Sequence, residues 1–207
     1  MSTSAMPEAE FHFDFGSPNA YLSHLAIPQI EAQTGIAFRY VPVLLGGVFK
    51  ATNNASPMVT ENGIMNKREY RQAETARFLR DWDVSPTTPN PHFPVNTLQI
   101  MRGAVYAEGA GIFTPYVDAV FRHMWHEARK MDDADVIHEA LSESGLPADD
   151  IMAGMGDAQV KQKLVDYTGA SVSRGTFGSP TFFVGDEIFF GKNTLKEVQA
   201  EIELARG

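Results

Sequence analysis

A chain of 207 residues, 43% apolar and 21% charged, has the make-up of one large globular domain or of a domain carrying an insertion. Its net charge of −9, with the lysines and arginines scattered, lacks the basic footprint of a nucleic-acid binder but leaves room for a local anion site. The absence of any cysteine excludes disulfides, thiolate metal sites and a cysteine nucleophile. The opening MSTSAMPEAE has no basic stretch followed by an apolar run, so no signal peptide is expected. No window approaches the ~18 apolar residues of a membrane span. The expectation is a soluble, cytoplasmic protein with no nucleic-acid or membrane partner.

In chain order, residues 1–9 read as a loose polar tail. Phe11, Phe13 and Phe15 alternate with His12 and Asp14, which predicts a strand. A helix is predicted from Pro18 to about Thr34. Ser17 is its N-cap, Pro18 takes the first helical position, and Gly35 is its stop. Ile36–Val43 predicts a second strand, completing a β-α-β unit with a right-handed crossover. A helical block follows, with helices predicted at 65–82, 96–108, 115–129, 134–144 and 158–171 and breaks between them at Gly and Pro. The strand signal returns at Thr181-Phe-Phe-Val184. Gly185-Asp186 turns the chain into Glu187-Ile-Phe-Phe190, a hairpin, and a last helix is predicted over 194–205. Strands at both ends and helices between them predict one mixed sheet with an inserted helical block, the order of a thioredoxin-type α/β fold.

Few residues announce chemistry by themselves. Ser17 is first of all a helix cap, but a hydroxyl and free N–H groups at a strand-to-helix corner also favour an anion. A Ser-His-Asp arrangement is compatible with the spacing, yet no Gly-x-Ser-x-Gly supports it. Pro180 reads as a proline that opens a strand. Asn53-Asn54 reads as a polar turn and Lys67 as a solvated lysine. His123 and His126, three apart, could hold a metal, but the His-Glu-x-x-His order is absent and no third ligand is evident, so no metal is expected. Gly46-Gly47 lacks the Gly-Lys-Ser/Thr ending of a phosphate loop.

Taken together in order, these stretches resemble a family. Phe11-His-Phe-Asp-Phe-Gly-Ser-Pro-Asn-Ala-Tyr-Leu22 is similar to the start of the 2-hydroxychromene-2-carboxylate isomerases and the kappa-class glutathione transferases. These are relatives of the DsbA-type oxidoreductases that carry Ser-Pro where the redox cysteines would stand. Pro42–Phe49 through Asn54, Lys67-Arg-Glu-Tyr70, Phe93-Pro-Val-Asn-Thr97 with Arg102, Gly175–Asp186, and Phe190-Gly-Lys-Asn-Thr194 resemble further segments of that family. The resemblance spans residues 10 to 205.

The resemblance implies a thioredoxin-like domain over 10–64 and 174–207, an inserted all-helical subdomain over 65–173, and a homodimer. It implies glutathione as cofactor, held by Ser17, Asn54, Lys67, Ser179, Pro180, Lys192 and Asn193, with Ser17 at the sulfur and Pro180 cis. The implied reaction is the cis–trans isomerisation of a 2-hydroxychromene-2-carboxylate to a hydroxybenzylidenepyruvate in aromatic-compound catabolism. Lys67, Tyr70, Asn96 and Arg102 would face this small aromatic carboxylate. A transferase forming stable conjugates and a non-catalytic binding protein are the alternatives. The chain departs from the family where Gly-x-Asp-Arg is replaced by Gly191-Lys-Asn-Thr194, and where Ser179 stands before the proline.

Overall fold

The computed structural model describes residues 7–206. Strand β1 (Ala9–Phe13) lies at the centre of a four-stranded sheet of order β2-β1-β3-β4. It pairs in parallel with β2 (Phe38–Pro42), Ala9 opposite Phe38, and antiparallel with β3 (Thr181–Val184), Ala9 opposite Val184. β3 pairs antiparallel with β4 (Glu187–Phe190) across the Gly185-Asp186 turn. Helix α1 (Pro18–Thr34) makes the crossover between β1 and β2, and Gly35, at φ +70°, ends it by donating its N–H to the Glu31 carbonyl at 2.8 Å. A side chain there would be strained, which is why glycine suits the position.

The expected tail is shorter than predicted. Ala9 is a buried strand residue bonded on both sides, because the central strand must run the full width of its partners; positions 1–6 lie outside the described residues. At its other end β1 stops at Phe13, and Phe15 lies beyond it in the turn, yet fully buried. The second strand is correspondingly shorter than the predicted 36–43.

Alternation along β1 does not separate core from solvent. Phe11 stacks on Phe182 at 5.3 Å between ring centroids, and Phe13 packs on Phe121 at 5.6 Å. The opposite face is buried as well: Glu10, His12 and Asp14 are 5%, 3% and 0% exposed. Helices cover both faces of this sheet, so the polar residues of its central strand must find protein partners. His12 lies 3.0 Å from Glu10 Oε2 through Nε2 and 2.8 Å from Ser171 Oγ through Nδ1, and Arg174 also bonds Glu10.

Between β2 and β3 come α2 (Leu45–Thr52), α3 (Pro57–Thr60), α4 (Lys67–Asp81), α5 (Leu98–Gly109), α6 (Phe113–Trp125), α7 (Ala134–Glu143), α8 (Ala148–Gly154) and α9 (Ala158–Ser173). The sequence predicts neither α2, α3 nor α8. Two glycines weaken α2 intrinsically, but fully buried Val48 packs with Val41 and Val43, and tertiary burial overrides propensity. In α8 fully buried Ile151 has the same effect. Helix α6 ends at Trp125 rather than at the predicted Arg129. Ala128 adopts φ +58°, turning the chain so that Arg129 reaches Glu127 and Glu143. After β4 a 3-10 turn (Lys192–Thr194) leads into α10 (Leu195–Arg206).

Candidate functional site

The corner between β1 and α1 is built from the first turn of a helix and the loop before β3. Ser17 caps α1, its Oγ accepting the Ala20 N–H at 3.2 Å. The same hydroxyl donates to the Ser179 carbonyl at 2.8 Å, and the Ser179–Pro180 bond is cis. Ser17 is 5% exposed. Ser17's own N–H donates to the Asp14 carbonyl at 3.0 Å, and those of Ala20 and Tyr21 to the Ser17 carbonyl. Asn19 N–H and Ser179 N–H find no acceptor among the described residues. Two free donors and a hydroxyl therefore meet at one corner, at the positive end of a helix dipole.

Asp14 organises this corner and is absent from the sequence-based set. Its Oδ1 accepts from Gly16 N at 2.7 Å, its Oδ2 accepts from Leu45 N at 2.7 Å, and its backbone N–H donates to Ser179 Oγ at 3.1 Å. Complete burial pushes its carboxyl above the usual range, against the lowering effect of bonds from Leu45, Gly16 and Thr97. One side chain thus ties the Ser17 turn to α2 and to the segment before α5. Trp125 locks the other side, its Nε1–H donating to the Phe15 carbonyl at 2.7 Å. A polar residue two positions before Gly-Ser-Pro was the available signal for Asp14. Strand alternation alone reads it as solvent-facing.

The other expected residues fall into two groups. Asn54 is exposed, and its Nδ2 donates to the Phe177 carbonyl at 2.9 Å, which ties it to the loop carrying Ser179 and Pro180. Lys67, at the start of α4, lies 3.8 Å from Glu61. Lys192 is 2% exposed, its Nζ 2.8 Å from Asn193 Oδ1 and 3.4 Å from Glu74 Oε2; burial lowers its pKa. Asn193 also donates to Glu74. Lys192 and Asn193 thus engage α4 through an acid that the sequence did not single out. Tyr70 is exposed beside Arg77, whose guanidinium is 5.7 Å from the ring centroid. Asn96, one residue before the Thr97 N-cap of α5, accepts from Leu98 N at 3.1 Å, and Arg102 donates to Gln99 at 3.2 Å. Among the described residues no hydrogen bond joins Asn96 or Arg102 to Ser17.

His123 and His126 diverge. His123 is fully buried, with Nδ1 2.8 Å from Glu127 and Nε2 2.8 Å from Ser144 Oγ, whereas His126 lines a cleft with Tyr21, His24 and Asp118. His123, Glu127 and Glu143 do cluster, but Arg122 and Arg129 already bond those carboxylates.

A thioredoxin-type sheet whose β1–α1 corner carries serine opposite a cis-proline loop defines a protein with the frame of a thiol–disulfide oxidoreductase and no thiol of its own. The chain belongs to the DSBA-like thioredoxin domain family, whose model matches residues 8–203. It is 28% identical over 192 residues to a 2-hydroxychromene-2-carboxylate isomerase of Sphingobium xenophagum, covering 90% of this chain and 93% of that protein. It is 25% identical over 205 residues to glutathione S-transferase kappa 1 of Caenorhabditis elegans, covering 91% and 87%. Among solved structures, a 2-hydroxychromene-2-carboxylate isomerase superposes with a TM-score of 0.80 at 22% identity, covering 95% of this chain and 94% of that one. A probable DsbA oxidoreductase of Streptomyces coelicolor superposes with a TM-score of 0.75 at 14% identity, covering 96% and 89%. No helix among the described residues is long and apolar enough to cross a membrane.

Proposed function

We propose that this protein is a glutathione-dependent isomerase of the 2-hydroxychromene-2-carboxylate type. The observation that carries the reading is the Ser17 hydroxyl, set at the N-terminus of α1 against the Ser179 carbonyl, in a chain that has no cysteine. The relatives named as such isomerases support the reaction class, and the kappa-class relatives support glutathione. The corner fits a thiol compound, because Asn19 N–H, Ser179 N–H and the Ser17 hydroxyl can all donate to it. Glutathione supplies a nucleophilic thiol that can add to, and leave, a conjugated double bond about which the substrate must rotate.

The task of Ser17 is to hold that sulfur ionised. Moving a thiol pKa from about 8.5 to about 6.5 takes roughly 2.7 kcal/mol. A hydrogen bond to a charged group contributes about 1.5–3 kcal/mol, but Ser17 gives up its bond to the Ser179 carbonyl, worth about 0.5–1.5, so the net is about 1.25 at mid-range. The helix terminus adds roughly 0.3–2 kcal/mol. The sum lowers the pKa by about one to two and a half units without any general base. Lys67 is assigned to a ligand carboxylate, with Asn54 and Ser179 along the tripeptide. The protein acts in the cytoplasm as a homodimer, with residues 65–173 as an inserted helical subdomain.

The test is glutathione-dependent interconversion of 2-hydroxychromene-2-carboxylate and its ring-opened isomer, followed by absorbance. Turnover that needs no glutathione, or that Ser17→Ala leaves intact, overturns the reading. A product heavier by one glutathione would instead identify a conjugating transferase, the activity named for the kappa-class relative.

A further inference from the structure

Helix α4 presents Lys67, Arg71, Glu74 and Phe78 at spacings of four, three and four residues, which places them on one stripe. Phe78 is buried, with Lys192 Nζ 5.2 Å from its ring centroid, and Glu74 meets Lys192 and Asn193. The stripe therefore faces the segment after β4. Arg71, one turn before Glu74, does not join that group. Its Nε and Nη2 instead donate to the two oxygens of Glu61, each at 2.5 Å, and Lys67 Nζ lies 3.8 Å from the same carboxylate.

Glu61 follows α3 in a segment that begins at Asn54, against the loop before Pro180, and ends at α4. This segment carries Met58, Val59, Ile64 and Met65 at 51%, 71%, 54% and 85% exposure. A carboxylate flanked by exposed apolar side chains thus fills a two-cation fork at the start of the α4 stripe, on a segment whose first residue, Asn54, bonds the loop that leads to Ser179. The paired planar fork is the geometry that selects carboxylates. An exposed pair of this kind adds little to stability and is readily exchanged for another carboxylate. Arg71 and Lys67 keep side-chain exposures of 40% and 42%, so an incoming ligand can reach both.

We propose that Arg71, together with Lys67, is the carboxylate-binding fork of the ligand site, and that Glu61 is an internal carboxylate that occupies it until an anionic ligand displaces it. The assignment rests on the reading of the Ser17 corner as the ligand site. The displacing carboxylate belongs either to the tripeptide or to the aromatic substrate, and the chemistry recognised is the same.

Calorimetric titration separates the two sources, using glutathione, glutathione monoethyl ester, whose glycine carboxylate is blocked, and hydroxybenzylidenepyruvate. Glu61→Gln should tighten binding of at least one free acid several-fold, with the melting temperature nearly unchanged. Arg71→Gln should weaken the same acid by about tenfold or more, and Arg71→Lys should fall between, since a point charge replaces a fork. An effect on glutathione that the ester does not show assigns the fork to the tripeptide's glycine carboxylate. An effect on glutathione and ester alike assigns it to the glutamyl carboxylate, and an effect on the aromatic acid alone assigns it to the substrate. Unchanged affinities for both acids in folded Glu61→Gln and Arg71→Lys proteins would overturn the proposal, as would the absence of any binding to Glu61→Gln at millimolar concentrations. The aromatic-acid titration involves no thiol, so it stands even if the role of glutathione fails.

Discussion

The Ser17 hydroxyl donates across 2.8 Å to the carbonyl of Ser179, 162 residues further along the chain. That bond joins the first turn of α1 to the loop entering β3, and it means that Ser17 must exchange a neutral acceptor for a sulfur anion in order to act. Ser17→Ala removes the hydroxyl's share and leaves the helix terminus, so it should reduce glutathione-dependent turnover by roughly eightfold, the equivalent of about 1.25 kcal/mol. Loss of the cap should also cost about 1 kcal/mol of stability. The ultraviolet absorbance of bound thiolate against pH checks the first effect, and urea unfolding the second.

Ser17→Cys would place a single thiol at the same helix terminus, in a protein that otherwise has none. Its alkylation rate should titrate with a midpoint below the ordinary value of about 8.5. A midpoint at or above that value would show that the corner does not favour a sulfur anion.

Asp14 predicts a mutational asymmetry. Asp14→Ala strips two backbone N–H groups, those of Gly16 and Leu45, of their acceptor, and about 1–3 kcal/mol for each implies a loss of roughly 2–6 kcal/mol. Asp14→Asn keeps one acceptor oxygen and should cost less. The pH dependence has a definite sign. A carboxyl raised in the folded state is protonated there while its unfolded counterpart, near 3.8, is already ionised. The contribution of Asp14 to stability is therefore full below that value and declines as pH rises through the folded value. Asp14→Asn removes this decline, which chemical unfolding at a series of pH values would reveal.

His12 works in the opposite sense. Burial lowers its pKa below 6.5 in spite of its bond to Glu10. On acidification the unfolded chain takes up this proton first, so stability falls as pH drops from about 6.5 toward the folded value. Burial raises Glu10, but bonds from His12 and Arg174 outweigh it and hold the carboxyl below 4.5, which adds a second loss beneath that pH. A His12→Gln protein should show a flatter stability profile between pH 5 and 7, the range through which an ordinary histidine titrates.

Gly103 marks one of the two tightest helix contacts among the described glycines. A Cβ there would lie 2.1 Å from the Tyr116 hydroxyl, which donates to the Ile100 carbonyl at 2.8 Å. Gly103→Ala should destabilise the protein by about 1–3 kcal/mol through overpacking, although alanine is the better helix former. Thermal unfolding measures it.

Local sequence determined the elements with strong punctuation. Ser17-Pro18 and Gly35 bound α1, Gly185-Asp186 places the hairpin, and the β-α-β start followed by helices and then β-β-α specifies the mixed sheet, because caps and turns act over a few residues. The ordered motifs also named Ser17 and Asn54, which the fold brings to one loop. Tertiary structure decided what local pattern cannot carry. Asp14, polar in an alternating strand, is fully buried because helices close both faces of the sheet. Helices α2 and α8 form because Val48 and Ile151 find apolar partners. Glu61, Arg71 and Glu74 belong to none of the motifs that the sequence singles out. Glu61 meets Arg71 only 10 residues further along, across the turn into α4, whereas Glu74 holds buried Lys192 from an element more than a hundred residues away, and neither pairing is written in the local pattern.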